Sequence, residues 1–298
     1  MPVERVTLHD GRVVHLGRRP PRSEKVVLRL RDYLRFGATA APPDTLDLSG
    51  KATSAIAQMY LNDQDGDCVI AAVEHEIGIY TGNESGTPVI ATDAETGNSY
   101  TTICGPGDNG CVITDVLDYT KATGLTLAGA VHKYDDYVSV DWTNWLELQV
   151  AMVLFGPLTF GINLPQGWTT APNLWDVVTG AAAQIAGGHC VCSCGYNKSG
   201  VPICTWASTR TITKAALVNP AWVEECYAQL SPDWYSNGDL DPFGVDKVAL
   251  QADLAALRGG QVPPIPPRGP DPGQAHRHHH RHHRRHGTTA TSTEGGIS

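Results

Sequence analysis

No apolar run in this chain is long enough to cross a bilayer, because the most hydrophobic segment, Val150 to Leu164, is short and is interrupted by Gly156-Pro157. Nor does any N-terminal stretch join a basic region to an apolar core of about 7–15 residues, the pattern of a secretory leader. A cytoplasmic location is therefore expected, with a component of a virion as the alternative. The eight cysteines contain no Cys-x-x-Cys pair. Cys190, Cys192 and Cys194 fall on one face of a strand and span too far to close round one ion, so structural zinc is not expected and no metal site is assigned in the body of the chain. Cations are scarce in the body of the chain. Residues 37–258 hold eight Lys/Arg against twenty-five Asp/Glu, whereas residues 1–36 hold nine against four.

The formal net charge of −9 thus describes an acidic body with basic ends. Those ends are candidate contacts for a polyanion, and the His/Arg run at 276–286 for a divalent metal as well. With no export signal, reduced thiols are expected. Cys104 and Cys111, which bracket a glycine-rich loop, are the best pair for a disulfide in an oxidising medium.

Local patterns suggest an α+β order. Residues 6–14 read as a short accessory hairpin on an Asp10-Gly11 turn. Residues 84–112 are rich in Gly, Thr, Asn and Ser and read as loops with a short strand pair. Helices are expected at 114–122, closed by Gly124, and at 145–154, with a strand following at 158–163. Two strands at 189–196 and 201–206 are joined by the turn-rich 197–200. A helix at 245–257 precedes a proline-rich linker at 259–273 and a tail unable to form a core, so the globular part is expected to end near residue 258.

The chemistry-bearing feature is Asn62-Asp-Gln-Asp-Gly-Asp-Cys68, followed by an apolar helical stretch and answered 121 residues later by Gly187-Gly188-His189. A thiol in the first turn of a buried helix has a dipole favouring thiolate, and a histidine can serve as its base. The competing reading of Cys68 is a small buried hydrophobe. His75, seven residues on, reads as a core histidine.

At this point residues 43–240 resemble the papain-like cysteine peptidases. Pro43 to Leu48 is similar to the opening segment of their mature domain, and Asn62 to Cys68 to their Gln-x-x-x-Gly-Ser-Cys run. Asn109-Gly110 resembles the glycine loop that binds substrate backbone, and Gly156-Pro157 the start of the strand-rich half. Gly188-His189, Gly195-Tyr196 and Trp206 stand where the base, its strand and the Asn-Ser-Trp segment belong.

The resemblance implies a helical subdomain carrying the cysteine and an antiparallel β-barrel-like subdomain carrying the histidine. The expected organisation is a basic arm at 1–42, a papain-like domain at 43–258 and a disordered tail at 259–298. It also implies a peptidase or amidase acting on peptide or protein through an acyl-thioester on Cys68, with His189 as base and no cofactor. Asn62 would supply the oxyanion donor, one methylene shorter than the family's glutamine, with Gln64 as the alternative. Gly110 and Gly188 would contact substrate backbone, and Trp206 would shield the site.

Where the family has asparagine as third member, this chain has Cys204, a weak acceptor. Strand alternation sets Thr205 on the face opposite Trp206, so Thr205 is not an obvious substitute, and Ser208 or a distant Asp or Asn remain open. Asp67 beside Cys68 would raise the thiol pKa. The arm is too short to resemble the family's inhibitory propeptide, so control by zymogen cleavage is not expected. The competing class is an inactive papain-like fold serving as a binding or structural module, for example in a phage particle.

Overall fold

One helix with almost no solvent-facing side organises half of the core, and a seven-stranded sheet organises the rest. The structure, a computed structural model, describes residues 3–33 and 41–234. The expected helix at 245–257, the linker, the tail and the domain end near 258 lie outside the described residues.

In chain order the elements begin with β1 (Glu4–Thr7), β2 (Val13–Leu16), β3 (Leu46–Asp47), α1 (Thr53–Ile56), α2 (Cys68–Ser85), α3 (Asp93–Cys104) and α4 (Ile113–Ala122). The strand-rich half follows with β4 (Leu125–Leu127), β5 (Ala130–His132), β6 (Asp136–Ser139), α5 (Trp145–Phe155), β7 (Leu158–Pro165), α6 (Gln166–Thr169) and β8 (Leu174–Trp175). It closes with β9 (Ile185–Ser193), β10 (Gly195–Tyr196), β11 (Gly200–Thr205), β12 (Ser208–Thr213), α7 (Lys214–Leu217) and β13 (Val223–Leu230).

Every residue of α2 from Cys68 to Tyr80 is buried, Glu74, His75 and Glu76 included. Each Val or Ile taken out of water there contributes about 1.5–3 kcal/mol. Among these buried polar side chains, Glu74 accepts from Thr96, Glu76 accepts from Thr159 and Tyr134, and His75 lies edge-on to Tyr60. The helix stops at Gly86, whose φ of +78° only glycine adopts without strain. Likewise α5 ends at Gly156, φ +76°, before Pro157 turns the chain into β7.

The large sheet has the order β6-β13-β7-β9-β11-β12-β8, antiparallel except for the β12–β8 pair. It stays open, and helices and strands together give the α+β, papain-like arrangement expected. Strand β9 separates the two cores. Cys190, Cys192 and Cys194 pack with α2 on one side, while Val191 joins Phe160, Trp168 and Trp206 on the other.

Residues 84–112 depart from expectation, because much of the loop and strand pair foreseen there is the helix α3. A capping box starts it, with Thr92 accepting from the Glu95 N–H and Glu95 accepting from the Thr92 N–H. Its inner face buries Thr96 and Tyr100 rather than aliphatic residues, so no hydrophobic period marks it. Cys104 and Cys111 are joined in a disulfide, against the expectation of reduced thiols, and six described cysteines are free and buried.

Candidate active site in a filled cleft

The polar run before α2 places Cys68 in the first turn of the helix, behind Asp67. The main chain at Gly17 and at Cys190, the residue after His189, favours the thiolate at this sulfur. Burial nevertheless outweighs these and the helix dipole, pushing the thiol up to about 12. The expectation that helix position alone would favour thiolate therefore fails in this closed site. Asp67 is also fully buried, and burial followed by the nearby Glu74 carries its carboxyl well above the usual carboxylate range. Asp67 adds to the rise of the Cys68 thiol, as expected, although burial of the sulfur is the larger cause.

His189 is fully buried on β9, and its Nε2 lies 2.8 Å from Thr205 Oγ1. Its Nδ1 is buried and has no hydrogen-bond partner. Burial first, then the cations Arg210 and Arg18, lower its pKa to about 3. The Trp206 ring stacks on the imidazole at 4.5 Å and 19°, and the Arg210 guanidinium covers the far side of the indole at 5.1 Å.

The third-member expectation is corrected here. Cys204 pairs across the sheet with Cys192, their sulfurs 3.4 Å apart in the core, on the face of β9 opposite His189. By the same alternation Thr205 belongs to the His189 face. What misled the reading was Trp206, which lies beyond the strand end with φ +50°, followed by Ala207 at +56°. That tight turn, and not strand alternation, swings the indole over the histidine.

The cleft is occupied by the chain's own N-terminal arm. Beyond β2 the backbone runs over Gly66, two residues before Cys68. A Cβ on Gly17 would stand 1.7 Å from the Gly66 carbonyl oxygen, so only glycine passes there. Asn62, buried, donates from Nδ2 to the His15 carbonyl at 3.0 Å and accepts the His15 N–H on its own carbonyl. Gln64 is exposed and does not take that place.

On one wall the Cys111 N–H donates to the Gly17 carbonyl at 2.8 Å and the Arg19 N–H to the Cys111 carbonyl at 2.7 Å. The backbone role expected of Gly110 thus falls one residue later. The Gly110 N–H is spent on Tyr100 Oη, and the lack of a side chain at Gly110 makes room for the Gly17 carbonyl, 2.0 Å from where its Cβ would stand. On the other wall the Arg18 N–H donates to the Gly188 carbonyl at 3.0 Å.

Sequence reasoning missed Thr205, and it missed that the arm is part of the site. Charge was the available signal for the second. Arm cations pair with acids of the body: Arg18 with Glu224 and Glu225, Arg22 with Asp115, Lys25 with Asp118, and Arg31 with Asp141. The basic N-terminus, expected to meet a polyanion, meets this chain's own carboxylates. Among the described residues no group of three or more His, Cys, Asp or Glu converges so as to hold a metal, and no helix is long and apolar enough to cross a membrane.

No protein-family model matches the sequence, and no curated sequence resembles it. Solved structures do. Xylellain, a cysteine protease from Xylella fastidiosa, superposes with a TM-score of 0.59 at 15% identity, over 76% of this chain and 97% of its own. Procathepsin B S9 from Trypanosoma congolense superposes with a TM-score of 0.54 at 11% identity, over 72% and 86% respectively. At such identities the likeness speaks for the fold, and the fold of this chain is that of the papain-like cysteine peptidases.

Proposed function

We propose that the chain is a cysteine-type hydrolase acting on peptide or protein, with Cys68 as nucleophile and His189 as base, held latent by its own arm. The observation that carries this reading is the imidazole itself. Its Nε2 is fixed on Thr205 and its Nδ1 is left unpartnered, on a strand whose next residue, Cys190, shares a core cluster with Cys68.

In the reaction, the thiol proton passes to Nδ1 as sulfur bonds to the carbonyl carbon of the substrate. The Asn62 amide and the Cys68 N–H at the helix start are the candidate donors to the resulting oxyanion. Collapse breaks the C–N bond, and His189 gives the proton to the departing amine. Water then attacks the thioester, losing a proton to His189, and the thiol is released with a carboxylate product. Thr205 orients the ring as a neutral group, weaker than a carboxylate.

A second reading, a papain-like module without catalysis, draws on one observation: with the arm seated, thiol and imidazole are both neutral, at about 12 and about 3. The two readings divide on thiol chemistry once the arm is lifted. Iodoacetamide labelling of each cysteine between pH 5 and 8, in a Gly17→Ala chain with and without His189→Ala, decides. Fast labelling of Cys68 that collapses without His189 supports the hydrolase. A Cys68 no faster than the core thiol Cys226 sinks it.

A further inference from the structure

Arg18 leaves the arm at the Gly188 carbonyl and sends its side chain into a pocket between β7 and β13. The side chain is 1% exposed. Nη1 donates to Glu225 Oε1 at 2.7 Å, and Nη2 donates to Glu224 Oε2 at 2.8 Å and to Asn163 Oδ1 at 2.7 Å. Consecutive residues of a strand point to opposite faces, yet both carboxylates reach one guanidinium. The pairing register of β13 with β7 shifts between Val223 and Glu225, and such a bulge turns Glu224 to the same side.

The floor is shaped for this arrangement. Glu225 lies over Gly161 of β7, where a Cβ would come within 2.4 Å of its side chain, and Tyr227 Oη donates to Glu225 Oε2 at 2.9 Å. Glu225 is itself only 5% exposed, so an occupant that left it unpaired would strand a buried carboxylate.

We propose that Glu225, Glu224 and Asn163 form a subsite for an arginine side chain, that Arg18 is its tethered internal ligand, and that the ligands the cleft takes in place of the arm carry arginine at this position. The planar fork explains the choice of arginine over lysine. Three acceptors on two nitrogens match a guanidinium, whereas one ammonium cannot span them. A neutral side chain of the same shape satisfies neither carboxylate.

The proposal rests on the hydrolase reading for its consequence, that substrates are cut near arginine, but binding is testable without catalysis. The probe is a labelled peptide with the sequence of residues 13–20, made with arginine, lysine, citrulline or leucine at the position of Arg18. Its binding to the full-length Arg18→Ala protein is followed by fluorescence anisotropy. The arginine peptide is expected to bind at least about 100-fold more tightly than the citrulline and leucine peptides, and several-fold more tightly than the lysine peptide. The wild-type chain should not take it up at the same concentration, its subsite being filled. A Glu225→Gln change added to Arg18→Ala should erase the preference.

Equal binding of the arginine and citrulline peptides overturns the subsite. Should Arg18→Ala unfold the chain by leaving Glu225 bare, visible as lost near-ultraviolet circular dichroism, the same series is run on Arg18→Lys. That variant keeps the charge but loses the fork. Arginine-selective binding with a Cys68 that still labels slowly upholds the subsite and overturns the hydrolase reading. Fast, His189-dependent labelling without arginine selectivity does the reverse.

Discussion

Thr205 Oγ1 stands 2.8 Å from His189 Nε2, on the face of β11 opposite Cys204, so a threonine and not a thiol orients the ring. Thr205→Val keeps the shape and removes the acceptor, leaving a buried ring nitrogen unpaired at a cost of about 1–3 kcal/mol. In the arm-lifted Gly17→Ala background, Cys68 labelling is expected to fall about 10- to 100-fold with Thr205→Val and to survive Thr205→Asn. Cys204→Ala should leave the labelling rate within about twofold while lowering thermal stability, because it opens a gap against Cys192. Equal loss of labelling from both positions would remove Thr205 from its role.

Gly17 passes so close to Gly66 that an added methyl has no room, its Cβ falling 1.7 Å from the carbonyl oxygen and 2.3 Å from the carbonyl carbon. Gly17→Ala must therefore lift the arm off Cys68, and alkylation of that thiol is expected to rise at least about tenfold. The cores contributed by α2 and the sheet stay intact, so circular dichroism should change little. Unchanged alkylation would mean that the arm does not shield the sulfur.

Stability should fall as pH rises from about 6.5 to 8. Burial pushes both Glu74 and Glu76 to about 8. Each is protonated in the folded chain where the unfolded chain has lost the proton, so folding holds more protons and stability drops with rising pH. Below about 6.5 an opposite trend enters, because burial holds His75 near 4 and His189 near 3 while the unfolded imidazoles take up protons. Above it each carboxyl contributes up to about 1.4 kcal/mol per pH unit, and near pH 8 the buried thiols, raised by burial, add a contribution of the same sign. Glu76→Gln, a neutral side chain able to meet Thr159 and Tyr134, should make the slope in denaturation measured across that range shallower, leaving the share of Glu74 and of Asp67, which burial also raises. An unaltered slope would take Glu76 out of the explanation.

The Cys104–Cys111 disulfide closes the loop whose last residue holds the arm on both its N–H and its carbonyl. Reduction is expected to cost about 2–3 kcal/mol, roughly 5–10 °C in the unfolding midpoint. Because Cys111 also anchors Gly17 and Arg19, trypsin should cut after Arg18 faster in the reduced protein. A lower midpoint with no gain in cleavage would confine the disulfide to stability.

Much of the scaffold was legible in the chain. The hairpin at β1–β2, the helices α2, α4 and α5 and the strands β7, β9 and β11 all carry strong periods or sharp stops such as Gly156-Pro157. The helix α3 was not legible, because its buried face is Thr96 and Tyr100, which hydrogen-bond inward and leave no apolar stripe. Strands β12 and β13 were missed too. Polar and acidic residues interrupt the apolar alternation at Ser208–Thr213 and Val223–Leu230, so no strand period marks them.

What the sequence by itself determined is local: a cysteine at the first turn of a buried helix, a glycine-flanked histidine on a strand, an acidic body and a basic arm. Tertiary structure alone decided which groups meet. Thr205 replaces Cys204 because register, and not adjacency to Trp206, sets the face. Cys111 replaces Gly110 because Gly110 makes room while its neighbour supplies the hydrogen bonds. Arg18 reaches Glu225 across 207 residues because a bulge in β13 turns two carboxylates to one side. Composition shows that opposite charges exist in one chain, but only the folded backbone can place a buried cation within 2.7 Å of its partner.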